Sequence, residues 1–198
     1  MNHLKRFVSK RGLALVLSSL LLFSACAATK KTALPPHPIN VGFDCDDTLL
    51  FSTPAFEIAT ESGAEEYSDA WWSIVNSSDE GNSIIKKEAQ KIVEKHQKRG
   101  DKLIVITARS NNGGGILKNY LNKTFGINQE DVYFTHRKAA KIRELDIKIF
   151  YGDSDSDIEE AMKAGARGIR ILRSPKSSYK SKYNPGKYKE EIIPNSED

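Results

Sequence analysis

Three carboxylates stand close together in residues 41–50, where the sequence reads Val-Gly-Phe-Asp-Cys-Asp-Asp-Thr-Leu-Leu. The apolar run Ile39–Phe43 is typical of a strand buried on both faces, so Asp44, Asp46 and Asp47 follow a strand end. A helix cap or an acidic turn explains one of them, whereas the cluster is unfavourable unless a cation lies among them. A divalent metal is the economical explanation. In an extended segment Asp44 and Asp46 would point the same way, so one could attack while the other handles protons.

A second acidic cluster follows another apolar run, in the sequence Gly152-Asp153-Ser154-Asp155-Ser156-Asp157. Alone it resembles a calcium loop or a helix cap, but the spacing of a full EF-hand loop is absent. Strands of a parallel sheet end at the same edge, and ligands bind beyond their carboxyl ends. The two clusters together therefore favour one Mg²⁺ site shared by two strand ends.

Two further positions have the side chains that phosphate binding requires. Thr107-Ala108-Arg109-Ser110 follows the run Leu103–Ile106, and offers a hydroxyl, backbone N–H groups and the charge of Arg109 to phosphate oxygens. Lys138 opens the stretch after Val132–Phe134. Taken alone, Thr107 is more typical of a helix cap and Lys138 of a solvated surface residue. Their combination with the acidic clusters favours a phosphate site.

The remaining sequence alternates between two hydrophobic periods. Short apolar or β-branched runs typical of buried strands lie at Ile39–Phe43, Leu103–Ile106, Val132–Phe134, Ile147–Phe150 and Gly168–Leu172. Stretches that predict helices lie at Ile84–Arg99, Ile116–Phe125, Lys138–Leu145 and Asp157–Ala164. This alternation predicts an α/β fold, a Rossmann-like parallel sheet with helices on both faces. Residues 51–80 interrupt it, and we expect a small helical cap insertion over the sheet edge.

Residues 1–25 are typical of a secretory signal peptide, with four basic residues before the apolar run Leu13–Phe23. That run is shorter than the ~20 residues that a membrane-spanning helix needs. Phe23-Ser24-Ala25-Cys26 resembles the lipobox of bacterial lipoproteins, in which Cys26 would be lipidated. The alternative is cleavage near Ala27 or Ala28, giving a soluble periplasmic protein. We expect an exported protein, periplasmic or lipid-anchored to the bacterial outer membrane.

Removing residues 1–25 also removes the excess positive charge. The whole chain has 30 Lys and Arg against 26 Asp and Glu, and the segment holds four basic and no acidic residues, so the remainder has 26 of each. This balance gives no support for binding a nucleic-acid polymer, and membrane contact is expected only through Cys26.

Prolines make residues 26–38 an extended tether before a domain at 39–198. Cys45 reads as a small core residue rather than half of a disulfide.

The combined motifs resemble the haloacid dehalogenase (HAD) superfamily. Its pattern is Asp-x-Asp-x-Thr after a strand, a Ser or Thr after the second strand, a Lys, and a final acidic motif. Here these fall, in the family's order, on Asp44, Asp46 and Thr48, on Thr107, on Lys138, and on Asp153 and Asp157. Asp46 matches the phosphotransferase branch rather than the dehalogenases.

The closer resemblance is to bacterial class B non-specific acid phosphatases. It extends over most of the chain from residue 40, including Ile149-Phe150-Tyr151-Gly152-Asp153-Ser154-Asp155 and Gly165-Ala166-Arg167-Gly168-Ile169-Arg170-Ile171-Leu172-Arg173. The chain departs from that family in having Ala108 where Gly is usual, and in a shorter loop before Lys138. Only about a dozen residues separate Cys26 from the first strand, in place of the arm that helps build the family's tetramer, so the oligomeric state stays open.

The resemblance implies a mechanism. Asp44 would attack phosphorus to form an aspartyl-phosphate, and Asp46 would protonate the leaving alcohol and then deprotonate water. Mg²⁺ would be held by Asp44, the backbone carbonyl of Asp46 and Asp153. The phosphate oxygens would contact Thr107, the N–H of Ala108 and Lys138, while Thr48 and Asp157 would support the site, the latter by orienting its loop and Lys138.

Aromatic residues of the insertion suggest how substrates are chosen. We expect Phe56, Trp72 and the later Tyr179 to form a wall on which nucleosides or aryl groups stack, with Trp71 as a further candidate. The alternative is that Trp71 or Trp72 is a core residue beneath the insertion.

The function expected is Mg²⁺-dependent hydrolysis of small phosphomonoesters, with transfer to alcohols as a side reaction. Alternatives are a narrow 5′-nucleotidase or sugar phosphatase, and a non-catalytic phosphate- or nucleotide-binding lipoprotein.

Overall fold

The structure is a computed structural model that describes residues 34–198. The predicted signal peptide, the lipobox with Cys26 and the first part of the tether lie outside the described residues. Residues 34–39 contain no helix or strand. Within residues 34–198, no helix combines the length and apolarity that crossing a membrane requires.

Six strands form a parallel sheet in which the first strand has a central place. Residues 34–198 contain eight strands, of which β2 and β3 lie outside this sheet: β1 (Asn40–Phe43), β2 (Leu50–Phe51), β3 (Ile84–Ile85), β4 (Lys102–Thr107), β5 (Val132–Phe134), β6 (Ile147–Gly152), β7 (Arg167–Arg170) and β8 (Glu191–Ile192). Their order in the large sheet is β5-β4-β1-β6-β7-β8, and every neighbouring pair is parallel. The carboxyl ends of β4, β1 and β6 therefore lie side by side.

Helices cover both faces of this sheet, as the sequence predicted. The helices of residues 34–198 are α1 (Thr53–Glu61), α2 (Asp69–Asn82), α3 (Lys87–Arg99), α4 (Gly114–Phe125), α5 (Lys138–Glu144) and α6 (Asp155–Ala164), with a 3-10 turn at Gln129–Asp131. The last four of these helices cover the faces of the sheet. Because strand side chains alternate, Leu103 and Val105 of β4 pack in the core on the α3 and α4 side. Ile104 and Ile106 pack with α5 and α6 on the other side. Cys45 is a buried free cysteine in the first of these cores, as expected.

The helices α1 and α2 form a small separate layer. Their contact surface buries Ala55, Ala59, Trp71 and Val75, the third of the hydrophobic clusters. On either side of them in sequence, β2 and β3 pair antiparallel, with Leu50 opposite Ile85 and Phe51 opposite Ile84. This ribbon joins the pair of helices to the sheet that carries β1.

Two helix starts and one short strand differ from the sequence prediction for identifiable reasons. The helix predicted from Ile84 begins at Lys87, because Ile84 and Ile85 pair with β2. The helix predicted from Asp157 begins at Asp155, because Ser154 caps it and forms a capping box with Asp157. The strand β8 was not predicted, since two residues are too short to show a period.

A buried hydrogen-bonded chain connects α3 to the sheet. The Nδ1 atom of His96 lies 2.7 Å from Oδ2 of Asp101, and its Nε2 atom lies 3.0 Å from the hydroxyl of Tyr151. Burial lowers the pKa of His96 below its usual value, and the hydrogen bond to Asp101 only partly opposes this. The imidazole is therefore held neutral, donating to Asp101 and accepting from Tyr151.

These buried hydrogen bonds of His96 predict that the stability of the fold depends on pH. The unfolded chain takes up a proton at His96 near pH 6.5, while the folded chain resists protonation to lower pH. The free energy of unfolding should therefore fall as pH drops from about 7 to about 5, and His96→Gln should reduce that slope. Denaturant titrations at several pH values measure it, with the exposed His37→Gln as control. An unchanged slope in His96→Gln would contradict this account.

Candidate active site

The predicted site residues meet beyond the carboxyl ends of the central strands. Asp44 directly follows β1, and its N–H still donates to the carbonyl of Tyr151 in β6 at 2.8 Å. The chain then turns sharply, since the amides of Leu49 and Leu50 both donate to the carbonyl of Cys45. Asp47 takes a positive φ of 53° within this turn. A turn thus begins directly after Asp44, and the carboxylates of Asp44 and Asp46 bind different cations although both line one cavity.

Lys138 is the cation beside Asp44. Its Nζ atom lies 2.6 Å from Oδ1 of Asp44 and 2.6 Å from Oδ1 of Asp157, and all three side chains are buried. Burial raises the pKa of Asp44 well above its usual value, and Lys138 opposes the shift. Burial lowers the pKa of Lys138, but the carboxylates of Asp157 and Asp44 outweigh it and raise that pKa above its ordinary value. The ammonium group is thus firmly charged at the first position of α5.

A group of three buried carboxylates fits a divalent metal ion. Oxygens of Asp44, Asp153 and Asp157 all lie within 4.8 Å of one another. Burial, reinforced by Asp157, raises the pKa of Asp153 to about 7. This shift reflects the cost of holding like charges together away from water. The donor chemistry, carboxylate oxygen only, is that of a hard cation. Asp44 and Asp153 were predicted as metal ligands. The carboxylate of Asp46 is not part of this group of three.

The carboxylate of Asp46 pairs with Arg109. The Nη2 atom of Arg109 lies 2.6 Å from Oδ1 of Asp46, and its Nε atom lies 3.0 Å from Oδ2. Burial raises the pKa of Asp46, but the guanidinium charge and its hydrogen bonds outweigh this and lower the pKa below its usual value. Arg109 also donates to Asp79 and Asn76 of α2. Arg109 also lines the cavity, so its contact with phosphate stays a prediction, while its N–H donors are engaged by protein acceptors.

Asp153 has a cation that sequence reasoning did not assign to the site. The Nε and Nη2 atoms of Arg173 each lie 2.6 Å from Oδ2 of Asp153, and both residues are buried. Thr48 approaches the other oxygen of Asp153 at 3.4 Å. The guanidinium of Arg173 stacks on Tyr179 and Tyr183, at 5.0 and 4.7 Å from their ring centroids. The sequence signal that could have placed Arg173 at the site is its position just past a strand.

The loop after Arg173 leads to the predicted aromatic residue Tyr179. Ser177 donates its hydroxyl to Asp47 at 2.6 Å, and the N–H of Ser178 donates to Thr53 at the start of α1 at 2.9 Å. These contacts hold the loop between the turn that contains Asp47 and the helices α1 and α2, which we call the cap helices. Tyr179 is consequently about 40% exposed and lines the cavity above Asp44.

Thr107 and Ala108 lie at the end of β4. The side chain of Thr107 is fully buried, and its hydroxyl accepts the N–H of Arg109 at 3.3 Å. This is a local turn contact and not the helix cap that was the alternative for Thr107, since α4 begins only at Gly114. Ala108 lines the cavity together with Asp44, Asp46 and Lys138.

A cavity of about 1040 Å³ opens above these groups and has an aromatic wall. The predicted residues Phe56, Trp72 and Tyr179 all line it. Trp71 also borders it but is buried in the α1–α2 core, whereas Trp72 is half-buried and meets Phe56 edge-on at 6.2 Å. Tyr67, which sequence reasoning missed, is 64% exposed and lies 6.1 Å from Trp72. Of the two tryptophans, Trp71 is thus the core residue.

Solved structures show the fold class. A HAD hydrolase, family IA, variant 3 from Entamoeba histolytica superposes with a TM-score of 0.54 at 16% identity, over 78% of this chain and 92% of that one. A predicted phosphoglycolate phosphatase from Haemophilus somnus 129pt gives a TM-score of 0.52 at 18% identity, over 77% and 92%. At these identities the likeness establishes the fold alone, which is that of the HAD hydrolases.

Sequence comparison narrows the class to one family. The family model of the HAD superfamily, subfamily IIIB (acid phosphatase) matches residues 17–182. The class B acid phosphatase of Rahnella sp. (strain Y9602) is 38% identical over 174 residues, 81% of this chain and 73% of that protein. That of Edwardsiella ictaluri (strain 93-146) is 41% identical over 175 residues, with the same coverage. The chain belongs to this family of acid phosphatases and is a phosphomonoesterase, as its motifs predicted.

Gly152, the last residue of β6, is a position at which substitution should be harmful. A Cβ atom there would lie 2.3 Å from Cβ and 2.7 Å from Cγ of Asp157. Gly152→Ala should therefore displace Asp157 from Lys138, cost about 1–3 kcal/mol of unfolding free energy and lower activity. Thermal unfolding and hydrolysis assays measure both effects.

A matched substitution controls for the added methyl group. Gly115 lies in α4 and has open space where a Cβ atom would stand, so Gly115→Ala should gain up to about 1 kcal/mol. Equal stability of the two variants would contradict the close contact assigned to Gly152.

Proposed function

We propose that the protein hydrolyses small phosphomonoesters through an aspartyl-phosphate on Asp44, with Mg²⁺ as its cofactor. The observation that carries this is the buried contact between Asp44 and Lys138 at 2.6 Å, at the floor of the aromatic-walled cavity. A bare carboxylate would repel a phosphate dianion, and Lys138 offsets that repulsion while holding Asp44 in place. The family membership supports the reaction class.

The metal site is proposed on Asp44 and Asp153, with the backbone carbonyl of Asp46 as a further ligand. When bound, Mg²⁺ would supply positive charge that keeps Asp44 ionised and neutralises the phosphate. Asp157 lies within the same group but binds Lys138 and closes the capping box with Ser154. We therefore give Asp157 the role of orienting Lys138, and Thr48 that of holding Asp153.

The proton carrier in this proposal is Asp46. Its side chain is 23% exposed and borders the cavity, and its partner Arg109, which also lines the cavity, has a buried side chain. Asp46 would first take a proton from solvent and then give it to the departing oxygen as the ester bond breaks and the bond to Asp44 forms. It would then take a proton from the water that hydrolyses the phosphoenzyme. Thr107, the N–H of Ala108 and Lys138 would hold the remaining phosphate oxygens.

The proposed substrates are small diffusible monoesters with an apolar or aromatic group, such as nucleotides and aryl phosphates. A rim of Phe56, Trp72, Tyr67 and Tyr179 offers faces on which bases or aryl rings stack. A nucleotidase or sugar phosphatase of narrow specificity would share this chemistry, and a substrate profile separates it. We further propose export to the periplasm, with lipid attachment at Cys26, which the mass of the mature N-terminus would test.

Hydrolysis of p-nitrophenyl phosphate at mildly acidic pH tests the proposal. Activity should require Mg²⁺, disappear with EDTA and return when Mg²⁺ is restored. Asp44→Ala should lose turnover because no other side chain replaces the nucleophile. Glu94→Ala, an exposed position on α3, serves as control and should retain activity. Turnover that survives Asp44→Ala would refute the nucleophile, and binding without turnover would favour the non-catalytic alternative.

Trp72→Ala tests the aromatic wall. KM for nucleotide and aryl monoesters should rise about tenfold, the equivalent of about 1.4 kcal/mol of lost stacking. KM for glycerol 2-phosphate, which has no ring, should change little and reports any general damage. Unchanged kinetics on nucleotide and aryl substrates would remove Trp72 from the substrate site.

A further inference from the structure

Arg109 is a buried arginine that is shared between two carboxylates. Its Nε and Nη2 atoms face Asp46, at 3.0 Å from Oδ2 and 2.6 Å from Oδ1. Its Nη1 atom lies 2.5 Å from Oδ2 of Asp79, and Nη2 lies 3.2 Å from Oδ1 of Asp79. The guanidinium is planar, so fixing its far edge also fixes the edge that it presents to Asp46.

Asp79 is the fixed member of this trio. It is fully buried in the last turn of α2, and it does not line the cavity. Ser83, at the end of α2, donates its hydroxyl to Oδ1 of Asp79 at 2.6 Å. Both carboxylate oxygens therefore have donors, which orients Asp79 before any substrate arrives. A buried carboxylate that touches neither substrate nor solvent needs a role within the protein.

Asn76, one turn earlier in α2, secures the same arginine. Its Oδ1 atom accepts from Nη1 of Arg109 at 3.0 Å. Its amide nitrogen donates to the carbonyls of Ser110 and Asn112, at 3.0 and 2.6 Å. The loop that carries Arg109 and the helix that holds its guanidinium are thus bound together at three points.

We propose that Asp79 is a positioning residue for proton transfer by Asp46, acting through Arg109 from the cap helix α2. This inference rests on the proposed role of Asp46 as proton carrier. The carboxylate of Asp46 is paired with Arg109. Because Asp79 holds Arg109 in place, it also fixes the position of the Asp46 carboxylate in the cavity. When Asp46 engages the substrate oxygen, Asp79 keeps the buried guanidinium paired and in place.

The leaving group of the substrate gives the test. p-Nitrophenolate departs readily without a proton, whereas the alkoxide of glycerol 2-phosphate requires one. In Asp79→Asn, kcat/KM for p-nitrophenyl phosphate should fall about threefold or less, and that for glycerol 2-phosphate about tenfold further. Both values scale with the folded fraction, so their ratio is insensitive to partial misfolding. A structural role alone would lower both equally.

Three variants complete the experiment. Glu80→Gln removes the neighbouring charge on the same helix, an exposed one paired with Lys123, and should leave the ratio unchanged. Asp79→Glu keeps the charge and should recover part of the ratio. Asp46→Asn should change the ratio in the same direction as Asp79→Asn, and by more.

The outcomes distinguish an error in the role of Asp79 from an error in the role of Asp46. Equal loss on both substrates in Asp79→Asn, with a selective loss in Asp46→Asn, would overturn the role of Asp79 alone. No selective loss in Asp46→Asn would overturn the proton carrier itself, and the inference with it. If Asp79→Asn does not fold, Asn76→Ala removes another acceptor of Arg109. It should show the same selective loss at smaller size, and an equal loss there would also overturn the inference.

Discussion

The structure depends on balancing buried negative charge at one edge of the sheet. The short loops after β1 and β6 bring several aspartates out of water, where an unpaired charge is costly. Removing one partner of a buried ion pair typically costs about 3–5 kcal/mol, so each cation is also a structural element. Each comes from a different part of the chain: Lys138 for Asp44 and Asp157, Arg109 for Asp46, and Arg173 for Asp153.

This division of cations separates two carboxylates that are only two residues apart. The turn at Cys45 directs Asp44 toward Lys138, and Asp46 toward Arg109 and the cap. One carboxylate can therefore act as nucleophile while the other carries protons, although both follow the same strand. The cap helices thus have two functions in this account, since α2 anchors the arginine at one end and carries Trp72 at the other.

Residues at strand ends could be predicted from sequence, whereas their partners could not. Asp44, Lys138 and Asp153 each follow a short apolar run, so parallel topology alone brings them together. Arg173 binds a residue 20 positions away and Asp79 one 30 positions away, and the sequence around each residue does not identify its partner. Arg109 shows the same limit: its residue type was evident from the sequence, but its tertiary acceptors Asp46 and Asp79 were not. Helix starts shifted where capping or strand pairing overrode the hydrophobic period.

Trapping the covalent intermediate tests the central claim most directly. The protein would be acid-quenched during turnover of p-nitrophenyl phosphate with Mg²⁺, and the phosphoryl group located by peptide mass spectrometry. The account predicts an acyl phosphate on Asp44 that is absent from Asp44→Ala. A phosphoryl group on another side chain, such as His136 in the cavity wall, would contradict it. So would single-turnover hydrolysis in which Asp44 never carries phosphate.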